Sequence, residues 1–232
     1  MKGVSKLKKG SFTAIPSQAE RLKERHGAEP FEIKICGLQI RVLGGVYKTS
    51  ADTELMIETV RIKPEQTFLE IGYGTGVISI MLSRQAKSGI GVDVNPIAVE
   101  NGRLNAARHH VKNVRFIESD LFENVQGAFD VIVCNPPYSD HSAHDVIDKM
   151  FWDEHHEMKK RFFKEVHTYL APGGRIYFGW ADFADLDTEL PLRLAQEAGF
   201  TLLDTKSKPS SHRNCLFYVL EFGKQVVSNS RE

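Results

Sequence analysis

The residues best suited to chemistry form one short run, Asn135-Pro136-Pro137-Tyr138, directly after the apolar stretch Phe129-Asp130-Val131-Ile132-Val133-Cys134. Two prolines after a buried strand remove two backbone donors and fix a rigid turn, which leaves carbonyl oxygens exposed. The Asn135 amide oxygen and a proline carbonyl held in this way can both accept from one planar NH2 group, with the Tyr138 ring stacked on the plane of that group. The nitrogen of an amide or aromatic amine is a poor nucleophile because its lone pair is delocalised. Hydrogen bonds that draw it toward tetrahedral geometry localise the lone pair and aim it at an electrophilic methyl, with no strong base needed beforehand. The plainer alternative is a Pro-Pro turn that only ends a strand.

An electrophilic ligand needs its own seat. Phe68-Leu69-Glu70-Ile71-Gly72-Tyr73-Gly74-Thr75-Gly76 runs into the helical Val77-Ile78-Ser79-Ile80. Alternating glycines allow a sharp turn and the close approach of a bulky ligand to a helix N-terminus. The third glycine comes one residue earlier than in the dinucleotide fingerprint, and Glu70 stands where a carboxylate can meet an ammonium group. A tight strand-helix turn without a ligand uses the same residues. In Gly91-Val92-Asp93-Val94-Asn95, Asp93 lies 17 residues after Gly76 and can accept both hydroxyls of a ribose. Helix capping is its alternative role, although Asn95 is better placed for that. Asp120, in Glu118-Ser119-Asp120-Leu121-Phe122, can accept from the exocyclic amine of adenine while Leu121 or Phe122 covers the ring, or it can make an Asx turn.

These groups converge only if strands end side by side. Apolar runs at 67–71, 90–94, 114–118, 131–134 and 175–178 read as buried parallel strands, with helices between most of them. Asn95 caps one helix and Pro96 occupies its first position. Pro172-Gly173-Gly174 is expected to stop a helix ending near Leu170, and Gly199 one that starts near Thr188. Residues 201–206 and 216–222 read as strands joined by the polar loop Ser207-Lys208-Pro209-Ser210-Ser211-His212, hence an antiparallel final hairpin. Upstream, a helix over 16–28 precedes a hairpin with strands around Phe31 to Ile35 and Leu38 to Val42, turning at Cys36-Gly37. Thr49-Ser50-Ala51-Asp52 fits a capping box that opens a helix running toward Pro64. The implied fold is α/β, a mostly parallel sheet with helices on both faces, and ligands of such sheets bind beyond the carboxyl strand ends. Residues 1–43 read as an N-terminal extension and 44–232 as the main domain.

Composition narrows the possibilities further. The 232 residues carry 30 basic and 30 acidic side chains, 41% hydrophobic and 26% charged residues, which excludes collagen-like, coiled-coil and disordered chains. Zero net charge argues against a non-specific binder of phosphate backbones. Cys36, Cys134 and Cys215 are too scattered for a zinc ribbon or a disulfide framework. No signal-peptide core follows the Lys-rich start, and no run approaches the roughly 18 apolar residues of a membrane span, so a cytoplasmic protein without membrane association is expected.

In their order along the chain, these motifs resemble the class I S-adenosylmethionine-dependent methyltransferases with an Asn-Pro-Pro-Tyr motif, over about residues 44–222. The resemblance implies a seven-stranded Rossmann-like sheet with an antiparallel last strand and S-adenosyl-L-methionine as cofactor. It implies cofactor binding by Glu70, Gly72, Tyr73, Gly74, Gly76, Asp93, Val94, Asp120, Leu121 and Asn135, and presentation of the target nitrogen by Asn135, Pro136, Pro137 and Tyr138. Gly45-Val46-Tyr47-Lys48-Thr49-Ser50-Ala51-Asp52-Thr53-Glu54-Leu55-Met56 is similar to the stretch that precedes the cofactor loop in the HemK family, which methylates glutamine side chains, typically in a peptide-chain release factor. That family's usual proline in this stretch is replaced by Thr49-Ser50, and only about 44 residues precede it, in place of the longer helical substrate domain of the bacterial enzymes.

The expected partner is therefore a protein substrate. The alternatives are an exocyclic base amine of RNA or DNA, or a small-molecule amine or amide. Lys2, Lys6, Lys8, Lys9, Arg21, Lys23 and Arg25 would form a basic face for a nucleic acid, or merely a solvated tail. His141, His144, Asp145, Asp148, Trp152, Asp153, His155 and His156 follow the motif without metal-ligand spacing. They read as a substrate-covering loop and a solvated helix, with no metal.

Overall fold

The computed structural model describes residue 7, residues 9–211 and residues 213–225. The chain opens with helix Ala14–Arg25 (α1) and the hairpin Phe31–Ile35 (β1) and Leu38–Val42 (β2). Helix Ala51–Thr59 (α2) leads to Thr67–Ile71 (β3), Val77–Ser83 (α3), Ser88–Asp93 (β4), Pro96–Arg108 (α4), Val114–Glu118 (β5) and Phe129–Cys134 (β6). Beyond a loop with two short 3-10 turns come Glu157–Tyr169 (α5), Leu170–Ala181 (β7), Leu190–Glu197 (α6), Phe200–Pro209 (β8) and Leu216–Lys224 (β9).

Strands β3 to β9 make one seven-stranded sheet in the order β5-β4-β3-β6-β7-β9-β8, in which β9 runs antiparallel to both neighbours and the other pairings are parallel. Strand order reverses between β3 and β6, so the carboxyl ends of β3, β4 and β6 border one crevice. Phe68, Leu69, Val92, Ile132, Val133, Phe178 and Leu220 are wholly buried, as both-face coverage of a parallel sheet requires. Phe162 and Phe163 of α5 press on Phe178 at ring distances of 5.4 and 5.0 Å.

Two expectations fail at strand ends. Helix α5 ends at Tyr169, where the expected stop near Leu170 places it, but Pro172-Gly173-Gly174 lies inside β7, where the register with β6 shifts between Phe129 and Val131. Ser207, Lys208 and Pro209 belong to β8, paired with Tyr218, Phe217 and Leu216, because this strand is the sheet edge, where lysines and a proline are tolerated. His212 lies outside the described residues.

The small β1-β2 hairpin turns through left-handed residues at Cys36 (φ 47°) and Gly37 (φ 77°), as its two-residue loop requires. Its open edge is fastened to α4 by two fully buried side chains. Asn101 exchanges hydrogen bonds with Leu43 N and Arg41 O, both at 2.8 Å, and Asn105 does so with Arg41 N and O at 2.9 and 2.8 Å. All three cysteines are free. Among the described residues no helix is long and apolar enough to cross a membrane.

Candidate active site

A cavity of about 540 Å³ opens at the carboxyl ends of β3, β4 and β6. Glu70, Gly72, Tyr73, Gly74, Asp93, Val94, Asp120, Leu121, Asn135, Pro136, Pro137 and Tyr138 all line it, so the structure brings together nearly every residue singled out from the sequence. Gly76 is the exception. It caps α3 in a left-handed conformation, and a side chain there would meet Phe116 at 3.0 Å and Gly102 at 3.2 Å, so this glycine permits close packing of α3 against α4 and β5.

At the floor stand two acids, neither paired with a cation among the described residues. Glu70 is 2% exposed and accepts from the Ser79 N–H at 2.8 Å and from the Ser79 hydroxyl. Burial pushes its carboxyl up to about 8. Asp93 accepts from Gly74 N and Asn95 N, each at 2.9 Å, and burial pushes it up to about 6. Asn95 itself caps α4 by accepting from Ile97 N at 3.0 Å. A carboxylate starved of solvent favours a ligand that brings an ammonium or hydroxyl donors. Space for such a ligand exists, since a Cβ built on Gly72 meets nothing within 4 Å and one on Gly74 approaches only Tyr47 and Val46, at 3.9 and 4.0 Å. The two acceptors and the open ground above the glycines fit the ammonium and hydroxyl groups of S-adenosylmethionine. Asp120, at the rim, is engaged by Arg161 at 3.0 Å.

Asn135 is held at both ends of its amide. Its Nδ2 donates to Asp52 Oδ2 at 2.8 Å, and its Oδ1 accepts from the Tyr138 hydroxyl at 2.8 Å. Because Asp52 can only accept when ionised, the amide orientation follows from its partners, with Oδ1 retaining a second lone pair. The hydroxyls of Ser50, at 2.6 Å, and Tyr47, at 3.2 Å, fix Asp52 in turn. The expected capping box is therefore not formed: Ser50 stands at the N-cap of α2, but its hydroxyl is drawn to Asp52 instead of the helix N–H groups. Strand β7 makes room for the amide at Gly179, where a Cβ would lie 2.2 Å from Asn135 Oδ1.

The two prolines differ. Lys159 Nζ, fully buried, donates to the Pro137 carbonyl at 2.7 Å and pairs with Asp153 at 2.7 Å, whereas the Pro136 carbonyl has no hydrogen-bond donor among the described residues. Desolvation lowers the Lys159 ammonium and the Asp153 charge opposes that shift. The Pro-Pro turn predicts two exposed carbonyls; the lysine that takes one of them is 22 residues away and sits on the same helical stripe as Phe162, Phe163 and Val166. That stripe was readable, as was a glycine in the apolar run of β7. Asp52 was visible only as a supposed capping residue.

Helix α1 and the loop after Tyr138 lean over the cavity together. Ser139 Oγ donates to Gln18 at 2.6 Å, and His26 Nε2 lies 3.1 Å from the buried Asp148. The histidine-rich span is a loop with two short 3-10 turns along the cavity, with His141 stacked on Trp152 at 4.3 Å. Among the described basic residues of this stretch, Lys9 and Lys23 are exposed. Arg25 is buried and donates to Val46 O at 3.1 Å and Leu43 O at 2.5 Å, Arg21 lines the cavity, and Lys2, Lys6 and Lys8 lie outside the described residues.

Comparison with known proteins gives concordant findings. The profile of the family described as Methyltransferase small domain matches residues 38–197. A Methanocaldococcus jannaschii protein assigned as a protein N5-glutamine methyltransferase is 40% identical over 149 residues, covering 61% of this chain and 75% of that one. The release factor glutamine methyltransferase of Fusobacterium nucleatum is 35% identical over 208 residues, covering 86% of this chain and 56% of its own length. Among solved structures, the Thermus thermophilus 16S rRNA N2 G1207 methyltransferase superposes with a TM-score of 0.61 at 21% identity, over 85% of this chain and 50% of that one, a likeness of fold.

Proposed function

The chain belongs to the methyltransferase small domain family, and on that footing we propose that it methylates the side-chain amide nitrogen of a glutamine in a protein, a peptide-chain release factor being the expected kind of acceptor. S-adenosylmethionine supplies a methyl group on a sulfonium centre, an electrophile that needs no further activation. What this chain contributes is orientation. Asn135 carries the reading: anchored by Asp52 and Tyr138, its Oδ1 keeps one lone pair for an N–H of the incoming carboxamide. The second N–H of a planar NH2 has the Pro136 carbonyl available, since Lys159 occupies that of Pro137. Two acceptors in rigid positions pull the nitrogen toward tetrahedral geometry and direct its lone pair into the cofactor half of the cavity. The buried Tyr138 ring, packed 5.7 Å from Trp180 and 5.8 Å from Phe183, is a flat wall for the amide plane.

The names of the two sequence relatives above, at 40% and 35% identity, specify glutamine and support a protein acceptor over a base amine. The zero net charge and the buried Arg25 point the same way. The chemical test is acid hydrolysis of the labelled product. A methylated carboxamide releases labelled methylamine, whereas a methylated base keeps its label on the ring system, and that result would refute the glutamine assignment.

A further inference from the structure

The side-chain amide of Gln18 is engaged at one end only. Gln18 belongs to α1, is 6% exposed and lines the cavity. Its Oε1 accepts from the Ser139 hydroxyl at 2.6 Å, whereas its Nε2 has no acceptor among the described residues. With Oε1 turned to Ser139, the two N–H donors of Nε2 are what this residue can offer to the cavity. A buried donor left unpaired costs about 1–3 kcal/mol, so a ligand that supplies an oxygen here gains what the empty site lacks. The mounting is firm. Ser139 is wholly buried and directly follows Tyr138, and its backbone is tied on both sides, its N–H donating to Phe151 O at 3.4 Å and its carbonyl accepting from Asp153 N at 3.0 Å. One hydrogen bond therefore keys α1 to the end of the Asn135 to Tyr138 loop.

Charge and reaction chemistry select the partner. A neutral amide N–H suits a neutral oxygen. The carbonyl of the reacting carboxamide is the wrong one, because a donor on that oxygen would draw the nitrogen lone pair into the carbonyl and oppose the localisation assigned to Asn135 and the Pro136 carbonyl. A peptide chain, in contrast, carries a main-chain oxygen at every residue. Once that chain lies against Phe12, Phe183 and Phe217, which line the same cavity, its oxygens lose water and need donors from the protein.

We propose that Gln18 is a specificity residue whose Nε2 donates to a main-chain carbonyl beside the target glutamine, so that the site reads the peptide chain as well as the amide it methylates. This rests on the glutamine reading of the site and deepens it. A phosphate backbone is the weaker fit, because one neutral amide supplies no counter-charge.

The probe is a synthetic peptide with the sequence around the methylated residue, mapped by mass spectrometry in the labelled protein fraction. Two variants separate recognition from bracing. Gln18→Glu keeps an oxygen for Ser139 and, ionised at pH 8, loses both donors; Gln18→Met loses both roles. Gln18→Met is expected to raise KM for the peptide about three- to tenfold and Gln18→Glu at least as much, with a smaller change in kcat and with cofactor affinity, measured by calorimetry, unchanged as proof of folding. An ester in place of the peptide bond before or after the glutamine weakens one main-chain carbonyl at a time. One of the two esters should raise KM of the wild type by a similar factor and leave that of Gln18→Glu unmoved. A rise with Gln18→Met alone would show that the residue only braces Ser139 and would overturn the proposal. Unaltered KM in both variants, or esters and variants that act additively, would overturn it as well, and methylglutamine in the product would still stand for the glutamine reading. Label confined to nucleic acid would overturn both.

Discussion

At the scale of single residues, the account turns on which groups touch the acceptor and which touch the cofactor. In the proposed function Asn135 faces the acceptor, so Asn135→Ala is expected to abolish transfer while cofactor affinity by calorimetry stays within a few fold; total loss of binding would reassign the residue. Gly179 is a sharper probe because it packs on Asn135 without lining the cavity. Gly179→Ala would push a methyl to within 2.2 Å of Asn135 Oδ1, and we expect kcat to fall at least about a hundredfold in a protein that still binds cofactor. Glu70 makes a prediction in pH. Its carboxyl titrates near 4.5 when unfolded and near 8 when buried, so folding takes up a proton in between: stability is greatest below pH 4.5 and falls as pH rises to 8. Glu70→Gln removes that slope. Denaturant melts should show it gaining roughly 2–4 kcal/mol over the wild type at pH 8.5 and little at pH 5, with the slope left below about pH 6 belonging to Asp93. Parallel pH profiles would mean that Glu70 is hydrated in solution. Glu70, Asp93 and Asn135 were legible in the sequence because each ends an apolar run; Asp52 was not, because its partner is 83 residues away.

Among the elements, the buried strand β3 and the edge strand β5 both have the limits of their apolar runs. Legibility failed at β7 and β8, where a bulge and a sheet edge admit residues that usually mark loops. It failed again at the fastening of the hairpin. Asn101 and Asn105 read as ordinary polar helix residues, yet each supplies donor and acceptor to the backbone of β2. Helix α5 does comparable work for the loop of Asn135 to Tyr138 through Lys159. Lys159→Met would leave the Asp153 carboxylate buried without its cation, and a loss of about 3–5 kcal/mol is expected in urea melts. Adding Asp153→Asn should restore part of that loss. Additive destabilisation in the double variant would show that the two side chains are not coupled.

For the whole molecule, the sheet reversal between β3 and β6 creates the crevice, and α1 with the covering loop encloses its acceptor side. The split at residue 43 suggested by the sequence is bridged by many contacts: Asp185 accepts from Ala14 N at 3.0 Å and Ile15 N at 2.9 Å, and Arg25 reaches the Val46 carbonyl. We propose that this extension takes the place of a substrate domain, giving the cavity its acceptor wall. The central claim, that the planar NH2 presented to Asn135 belongs to a protein glutamine, is tested most directly by one labelling experiment. The purified protein is incubated with methyl-labelled S-adenosylmethionine and a cell extract, which is then divided into protein, nucleic-acid and small-molecule fractions. The account predicts label in protein, recovered after proteolysis as N5-methylglutamine and absent with Asn135→Ala. Label confined to nucleic acid would contradict it.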